Sequence, residues 1–531
     1  MTAVYLLILI PILVGIIEYF LPKGYKTIFT LLGQTAQFAM VIYVYIVFKG
    51  ADTLIPLGGW TAPVGIMLHV DSISMVLTLL TSFLFLCFII FNIYDEYSDK
   101  HFYMLYMILQ GLLIGIFLVD DLFSIFVLVE VSTMVVSMLI MHKRDSRAIY
   151  DGLIYLLINT FSMVFFLFGL AMLYKQIGSF SITYISEAMK NVTNLSALYL
   201  PYALIITSVC LKSAIMPLFS WLPKAHGTPS APSTVSAVLS GLYVKGGIYL
   251  YIRISTMFSA IDMSEFFLVC GFLTAIIGFI FAISQRDIKL ILSYHTVSQL
   301  GLILLAINMK SEFATIGGVY HIINHAVFKS VLFLCAGLIA DEYKTRNIYE
   351  IRGVFKRMPI VSIVCVCAIL GITGAPLFNG SISKYFIASG SQNDVTQWLL
   401  GIINFGTILS FIKFSTIFAK DKSGHEYKKP RYSISRNAVL LTLALLCLLG
   451  GIFGTHIIEL LFGVKKTLSA SYFDKSLVYV ATLIFALLVY FTGLTKTKPF
   501  VKIREMDLGF NNIAIFIPIF MCVVLVYLVF V

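Results

Sequence analysis

Residues 211–253 read LKSAIMPLFSWLPKAHGTPSAPSTVSAVLSGLYVKGGIYLYIR. Two apolar, helix-length runs flank a polar, proline-rich turn, and each run carries a lysine, Lys212 and Lys245. Pro217 follows Lys212 by five residues and removes a helix hydrogen bond, so this span is expected to break there. Gly246 and Gly247 come directly after Lys245 and mark a second place where the helix is expected to loosen. Broken helices occur at mid-membrane where their backbone lines a polar cavity. The turn between the spans, with Lys224 and His226, is expected at the cytoplasmic surface.

The rest of the chain agrees with a membrane setting. Of its 531 residues 60% are hydrophobic and 12% charged, with a mean hydropathy of +0.97. A soluble domain of that length needs far more polar surface. Crossing the hydrocarbon takes about 20 apolar residues. Such runs recur at 4–21, 28–48, 73–94, 102–119, 122–141, 149–173, 202–222 and 235–252. They continue at 266–283, 288–309, 313–340, 359–386, 398–419, 438–462, 477–494 and 513–531. The expected fold is an all-α polytopic membrane protein of about 14–16 transmembrane helices. The first run has no upstream basic region and no small-residue cleavage site, so it is expected to stay as a span.

Charge sets the orientation. With the N-terminus outside, 24 lysines and arginines fall on the cytoplasmic side and eight on the other. That asymmetry is the positive-inside signature and places both termini outside the cytoplasm. It also accounts for the net charge of +11 without a nucleic-acid partner. The expected compartment is a bacterial or archaeal cytoplasmic membrane.

The 32 residues so assigned, with Lys289 at the edge of its run counted to the cytoplasmic loop, leave five of 37 deeper inside spans: Lys212, Lys245, Lys329, Lys384 and Lys413. A lysine at mid-bilayer costs roughly 2.5–3.5 kcal/mol, so five cost on the order of 12–18 kcal/mol. Packing alone does not justify that penalty. Lys413, toward the cytoplasmic end of its span, can instead snorkel.

The carboxylate and imidazole partners are on the same chain. FSIFVLVEVSTMVVSML (123–139) puts Glu130 in the middle of an apolar helix. RDIKLILSYHTVSQLG (286–301) sets His295 and Gln299 one turn apart. HIINHAVFK (321–329) places His321, His325 and Lys329 on one helix face. Two histidines four apart can bind a metal, but the third position is a lysine and no carboxylate joins them, so a file of titratable groups is the better account. GITGAPLFNGSISKYFI (371–387) repeats the earlier device, with a break at Gly374 and Pro376 before Lys384.

The eight cysteines have no ligand spacing, and no phosphate loop or dinucleotide fingerprint is present. Nothing points to a cofactor, to electron transfer or to nucleotide hydrolysis. The seventh and twelfth spans each combine a proline break with a buried lysine, five spans apart. That spacing suggests two inverted five-helix units, spans four to eight and nine to thirteen. The expected division is 1–101, N-terminal helices; 102–254, first repeat; 266–419, second repeat; and 438–531, C-terminal helices.

KSAIMPLFSWLPKAHGTPSAPSTVSAVLSGLYVK, RDIKLILSYHTVSQLG and HIINHAVFK resemble signature stretches of the proton-conducting antiporter-like subunits. These occur in Mrp-type sodium/proton antiporters, respiratory complex I and membrane-bound energy-converting hydrogenases. The resemblance runs from about Asp71 to Lys420. It implies fourteen core helices with two inverted repeats, each holding a broken helix, in a complex with other membrane subunits. It implies a first half-channel pair in Glu130 and Lys212 and a connecting lysine in Lys245. His321, His325 and Lys329 would continue the axis to a terminal Lys384. The context of Glu130 and the lysine at 384 resemble the Mrp D-type and hydrogenase-type subunits. The chain departs from the core in its last two spans, with about 18 residues between them, too few for a long lateral helix.

The implied function is translocation of H+, of Na+ or of both by a subunit with no redox or hydrolytic centre of its own. A stand-alone solute transporter would share the broken helices. A membrane enzyme acting on lipid-linked substrates would need acidic or metal-binding loops, for which Asp120 and Asp121 are the candidate pair.

Overall fold

Aspartates set where several helices begin. Asp71, Asp99, Asp121, Asp145 and Asp287 each stand at an N-cap and accept from backbone N–H groups of the first turn. A helix start leaves those groups without intrahelical acceptors, which is why the residue type recurs there. A computed structural model describes residues 2–94, 97–192, 194–391, 393–421, 432–469, 471–493, 497–506 and 509–530. Of the basic residues used for orientation, Lys422, Lys428, Lys429, Arg431 and Lys496 lie outside the described residues.

The chain opens with α1 (Thr2–Phe20) and α2 (Lys23–Val47), then an antiparallel hairpin of β1 (Thr53–Pro56) and β2 (Met67–Val70) in the register Thr53↔Val70. Next come α3 (Ser72–Asn92), α4 (Lys100–Leu118), α5 (Leu122–Ile140), α6 (Ser146–Ile177), α7 (Ile182–Met189) and α8 (Ser196–Lys212). They are followed by α9 (Trp221–His226), α10 (Ser233–Val238), α11 (Val244–Met257), α12 (Ser264–Ser284), α13 (Ile288–Ile307) and α14 (Glu312–Tyr343). The remainder is α15 (Val354–Arg357), α16 (Pro359–Thr373), α17 (Asn379–Ser389), α18 (Asp394–Phe414), α19 (Ile434–Ile452) and α20 (Gly454–Phe462). Last come α21 (Ser471–Phe491), α22 (Lys498–Glu505) and α23 (Phe510–Phe530). Among the described residues, fourteen helical stretches are long and apolar enough to cross a membrane. Two shorter apolar helices, α8 and α16, stand where the seventh and twelfth spans are expected.

Both of those spans are broken. After α8 the backbone leaves the helix, with Ala214 in the left-handed region and Pro217 in the gap before α9. The Leu211 carbonyl at this end accepts the Trp221 indole N–H at 2.7 Å. After α16, Gly374 caps the helix at φ +83°, and Ala375 N–H donates back to Leu370 O at 2.9 Å. Glycine is favoured at that left-handed position. Gly374 and Pro376 both lie in the gap before α17.

Two expectations need correction. Gly246 and Gly247 do not break a helix; they lie within α11, and the irregular turn is a π segment just before it, Leu239–Tyr243. A Cβ at Gly247 would meet the Lys212 and Ser213 backbone at 2.7 Å, so this glycine serves close packing of α11 on the end of α8. The proline-rich turn is not a surface loop either. His226 is buried on α9, its Nδ1 is 2.6 Å from Leu222 O, and its ring packs on Phe333. The segment is held down because α10 packs on α14, and Ser236 Oγ donates to the His226 carbonyl at 3.0 Å.

The chain forms two compact units. One comprises Met1–Trp221, Tyr243–Asp262 and Gly509–Val531; the other comprises Leu222–Leu242 and Met263–Leu508. In the first, α4 packs along α1, α6 along α8, and α23 covers α8 and α6. In the second, α12 lies along α13, while α14 is wrapped by α13, α16, α17 and α19, and α21 lies on α18.

Candidate functional site

In the first unit, Lys212 is the last residue of α8 and is buried, 4% exposed. Its ammonium donates to Thr133 Oγ1 at 2.8 Å. Thr133 lies one turn along α5 from Glu130 and donates its own hydroxyl to the Val129 carbonyl at 2.8 Å. Glu130 and Lys212 are within electrostatic reach of each other but make no direct ion pair. Glu130 Oε1 is buried without a hydrogen-bond partner among the described residues. The Tyr243 hydroxyl stands 3.3 Å from both Ser132 Oγ and Thr133 Oγ1. Two residues further, Lys245 is buried on α11.

In the second unit one imidazole, that of His321, joins a hydrogen-bonded run. His321 Nε2 is 3.0 Å from Gln299 Oε1, and His321 Nδ1 is 2.8 Å from Ser383 Oγ. Gln299 Nε2 reaches Thr407 Oγ1 at 3.4 Å. The run therefore crosses from α13 through α14 to α17 and ends at Ser383, the residue before Lys384 in sequence. His325 stacks edge-on with Phe328, and Lys329 donates to the Leu292 carbonyl at 2.7 Å. His295 is fully buried against Phe411, and neither ring nitrogen has a hydrogen-bond partner among the described residues.

The Lys384 side chain reaches from α17 back to the break. Its ammonium donates to Ile372 O at 3.0 Å, Thr373 O at 3.1 Å and Asn404 Oδ1 at 2.9 Å. The first two are the last carbonyls of α16, where a helix end carries partial negative charge. Ending the helix at mid-span thus creates the polar partner that a buried amine needs. Lys212 and Lys384 find only neutral oxygens, which accept hydrogen bonds from an amine in either protonation state. A cavity of about 320 Å³ opens beside Lys384 between α17, α18 and α21.

Residues 119–410 match the family described as NADH:quinone oxidoreductase/Mrp antiporter, transmembrane region. The chain belongs to this family. Every residue singled out from Glu130 to Lys384 falls inside the matched stretch of the antiporter-family chain. The chain is 26% identical over 441 residues to the D-type Na(+)/H(+) antiporter subunit of Alkalihalophilus pseudofirmus, covering 81% of this chain and 89% of that protein. A chain of the archaeal membrane-bound sulfane sulfur reductase shares its fold with a TM-score of 0.79 at 23% identity, over 92% of this chain and 100% of that one. A chain of the Mrp complex from a Dietzia species does so with a TM-score of 0.79 at 21% identity, over 91% and 100%.

Several side chains of this antiporter-family site escaped sequence reasoning. Thr133, Ser383 and Asn404 carry no charge and look like ordinary polar residues in a helix. Lys413, allowed above to snorkel, is buried and donates to the Ile283 and Gln285 carbonyls at the end of α12. Lys289, assigned above to a cytoplasmic loop, is buried and reaches the Ala231 carbonyl at 3.2 Å. Glu18 in α1 is a fully buried carboxylate, 3.8 Å from Lys26; a charge in an apolar run, the signal that marked Glu130, marks it too.

The acidic pair proposed for an enzyme has structural work instead. Asp121 caps α5, and Asp120 accepts from Ser181 Oγ at 2.7 Å and Thr183 Oγ1 at 2.9 Å, tying down the start of α7. Among the described residues, no three His, Cys, Asp or Glu side chains group as metal ligands.

Proposed function

We infer that this chain is an ion-translocating subunit of a multisubunit membrane complex, of the Mrp antiporter type or of the related respiratory and hydrogenase types. The observation that carries the reading is the buried run Gln299–His321–Ser383, with Lys384 the next residue of α17, inside the stretch that matches the family. Buried imidazole and amine groups set among neutral hydrogen-bonding side chains suit proton relay, and nothing in the set suits hydrolysis or electron transfer. Relatives support the complex: one is named as an antiporter subunit, and the two similar folds come from assemblies.

Protons are the proposed cargo, with sodium as the counter-ion in an exchange. The proposed order is Glu130 and Lys212, then Lys245, then His295, His321, His325 and Lys329, then Lys384. The switch is a change at Glu130–Lys212 imposed by a partner protein of the complex. Giving or removing a carboxylate partner changes a buried amine's proton affinity by roughly a thousandfold, about 4 kcal/mol. Moving one charge against ~180 mV takes about 4 kcal/mol, so the scales match. The two broken spans support a division into inverted repeats, 102–254 and 266–419, between N-terminal helices 1–101 and C-terminal helices 438–531. The distribution of lysine and arginine supports a bacterial or archaeal cytoplasmic membrane with both termini outside.

The test is purification by a tag on this chain from its native membrane, followed by reconstitution. Other membrane proteins should co-purify, and the vesicles should move protons, with or without a sodium gradient. A chain that purifies alone and moves an organic solute overturns the reading.

A further inference from the structure

The first helices carry a buried polar run that precedes the family-matched residues 119–410 and has no part in the lysine relay. On α2, Lys26, Thr30 and Gln34 recur at i, i+4 and i+8, and Gln37 follows on the same face. Helix α1 packs closely there, since a Cβ at Gly33 would meet Val14 at 2.7 Å. Glu18 lies one turn beyond Val14 on α1, and Thr30 about one turn before Gly33 on α2. The antiparallel register therefore sets the two at one level. Helix α4 closes the third side: Gln34 Nε2 donates to Gln110 Oε1 and reaches Met107 Sδ at 2.7 Å. Glu18, Thr30, Gln34 and Gln37 are each no more than 1% exposed. Yet both Glu18 carboxylate oxygens, Thr30 Oγ1 and the Oε1 atoms of Gln34 and Gln37 have no hydrogen-bond partner among the described residues. Gln37 spends its N–H on the Leu7 carbonyl at 2.7 Å, and the Lys26 ammonium stops 3.8 Å from Glu18 Oε1, beyond an ordinary hydrogen bond.

We propose that Glu18, Thr30 and Gln34 form a binding site for an alkali-metal cation between α1 and α2, and that Lys26 competes with the ion for the Glu18 carboxylate. Buried oxygens are nearly always paired, because an acceptor left in an apolar interior without a donor or a cation is unfavourable. Oxygen-only ligand sets suit hard cations, and a single carboxylate matches a single positive charge, whereas divalent ions draw more carboxylates. Side chains on a helix lean toward its N-terminus, so Thr30 and Gln34 lean toward the level of Glu18. Lys26 stands in the first turn of α2 and is 14% exposed, so its long side chain can turn to water and give up the carboxylate. Asp99 and Lys100, at the start of α4, are the other charges that act on Glu18, and their signs oppose. The bound ion ties α1 to α2 at the end where one turns into the other. The site does not rest on the translocation reading, since none of its residues belongs to the relay.

The experiment follows thermal unfolding of the purified intact complex while sodium or potassium chloride replaces choline chloride at constant ionic strength. Equilibrium binding of radiolabelled sodium and of rubidium, as the potassium surrogate, is measured beside it. An ion that binds only the folded form raises the midpoint as its concentration grows. The parent midpoint should rise with one of the two salts, and Glu18→Gln and Gln34→Leu should lose that rise and bind one equivalent of ion less. Lys26→Met removes the competitor and should lower the concentration for half of the rise severalfold. A plain Glu18–Lys26 ion pair predicts instead that Lys26→Met is less stable at every ion concentration, with its ion dependence unchanged. That result, or equal ion dependence and equal binding in the parent and Glu18→Gln, overturns the site. If Glu18→Gln does not accumulate, Thr30→Val and Lys26→Met decide by the same two readings. Proton flux in Glu130→Gln and Lys384→Ala tests the translocation reading separately, so failure of one is distinct from failure of the other.

Discussion

The Lys212 ammonium binds the Thr133 hydroxyl at 2.8 Å, one turn along α5 from the Glu130 carboxylate. The threonine gives the ammonium a neutral partner, and the lysine and the carboxylate stand within electrostatic reach without a direct ion pair. A pair so arranged can be tightened or loosened by a small shift of α5 against the end of α8.

Thr133→Val should therefore lower ion flux, by roughly tenfold if the lost hydrogen bond to a charged group contributes its usual share. Thr133→Ser should retain most of the flux. Flux in reconstituted vesicles is the measurement, and parent-like transport by the valine variant would remove Thr133 from the switch.

Glu130 and Lys212 should behave as partners. Glu130→Gln removes the nearest counter-charge from a buried amine, and Lys212→Met strands a carboxylate. Each should cut transport steeply, and the double variant should be barely worse than either. Losses that multiply would mean the residues act independently. Protein level in the membrane must be measured beside flux, since a purely structural pair predicts loss of the protein itself.

Lys384→Ala should impair transport and leave insertion intact, because it removes a charge whose placement at mid-membrane costs roughly 2.5–3.5 kcal/mol. A variant that inserts normally and conducts normally would make Lys384 a packing residue.

Stability in acid should depend on Asp71, whose carboxylate is 2.8 Å from Arg253 Nη1. Burial alone would raise its proton affinity, but Arg253 and the Ser74 N–H outweigh that and hold it below the usual carboxylate value. The contribution is therefore present above the ordinary carboxylate range and lost as pH falls through the lower native value. Asp71→Asn keeps a capping side chain but leaves Arg253 unpaired, and should lower stability by about 1–3 kcal/mol. The gap between parent and variant thermal midpoints should be flat from neutral pH to about pH 5 and close only below about pH 4. A gap that closes between pH 8 and pH 6 would assign the effect to another group.

For topology, a reporter fused after Arg436 should read cytoplasmic and one fused after Val531 extracytoplasmic. Swapped signals would overturn the orientation argued from lysine and arginine.

Proline and glycine were unequal guides to the broken helices. Pro217 and Pro376 both stand in gaps, since a missing N–H is a property of the residue wherever it sits. Gly246 and Gly247 were misleading, since glycine permits a break but equally permits close contact, and at Gly247 the contact with Lys212 is what is used. The charged members of the site stood out because a charge in an apolar run is conspicuous. Thr133, Ser383 and Asn404 did not, because a neutral polar side chain costs little in a helix and carries no such mark.

By itself the sequence determined the membrane setting, an all-α fold of about 14–16 spans and most of the residues that carry charge into apolar runs. Each of these follows from local transfer energies: about 20 apolar residues cross, and a lysine among them is expensive wherever it lies. Only the tertiary structure decided what those charges meet. Lys212 could have faced Glu130 directly but faces Thr133, and Lys384 could have sought a carboxylate but takes the carbonyl ends of α16. Hydrogen bonding is directional and short-ranged, so the partner depends on where a helix stops and which neighbour packs against it, and neither is written in one segment alone.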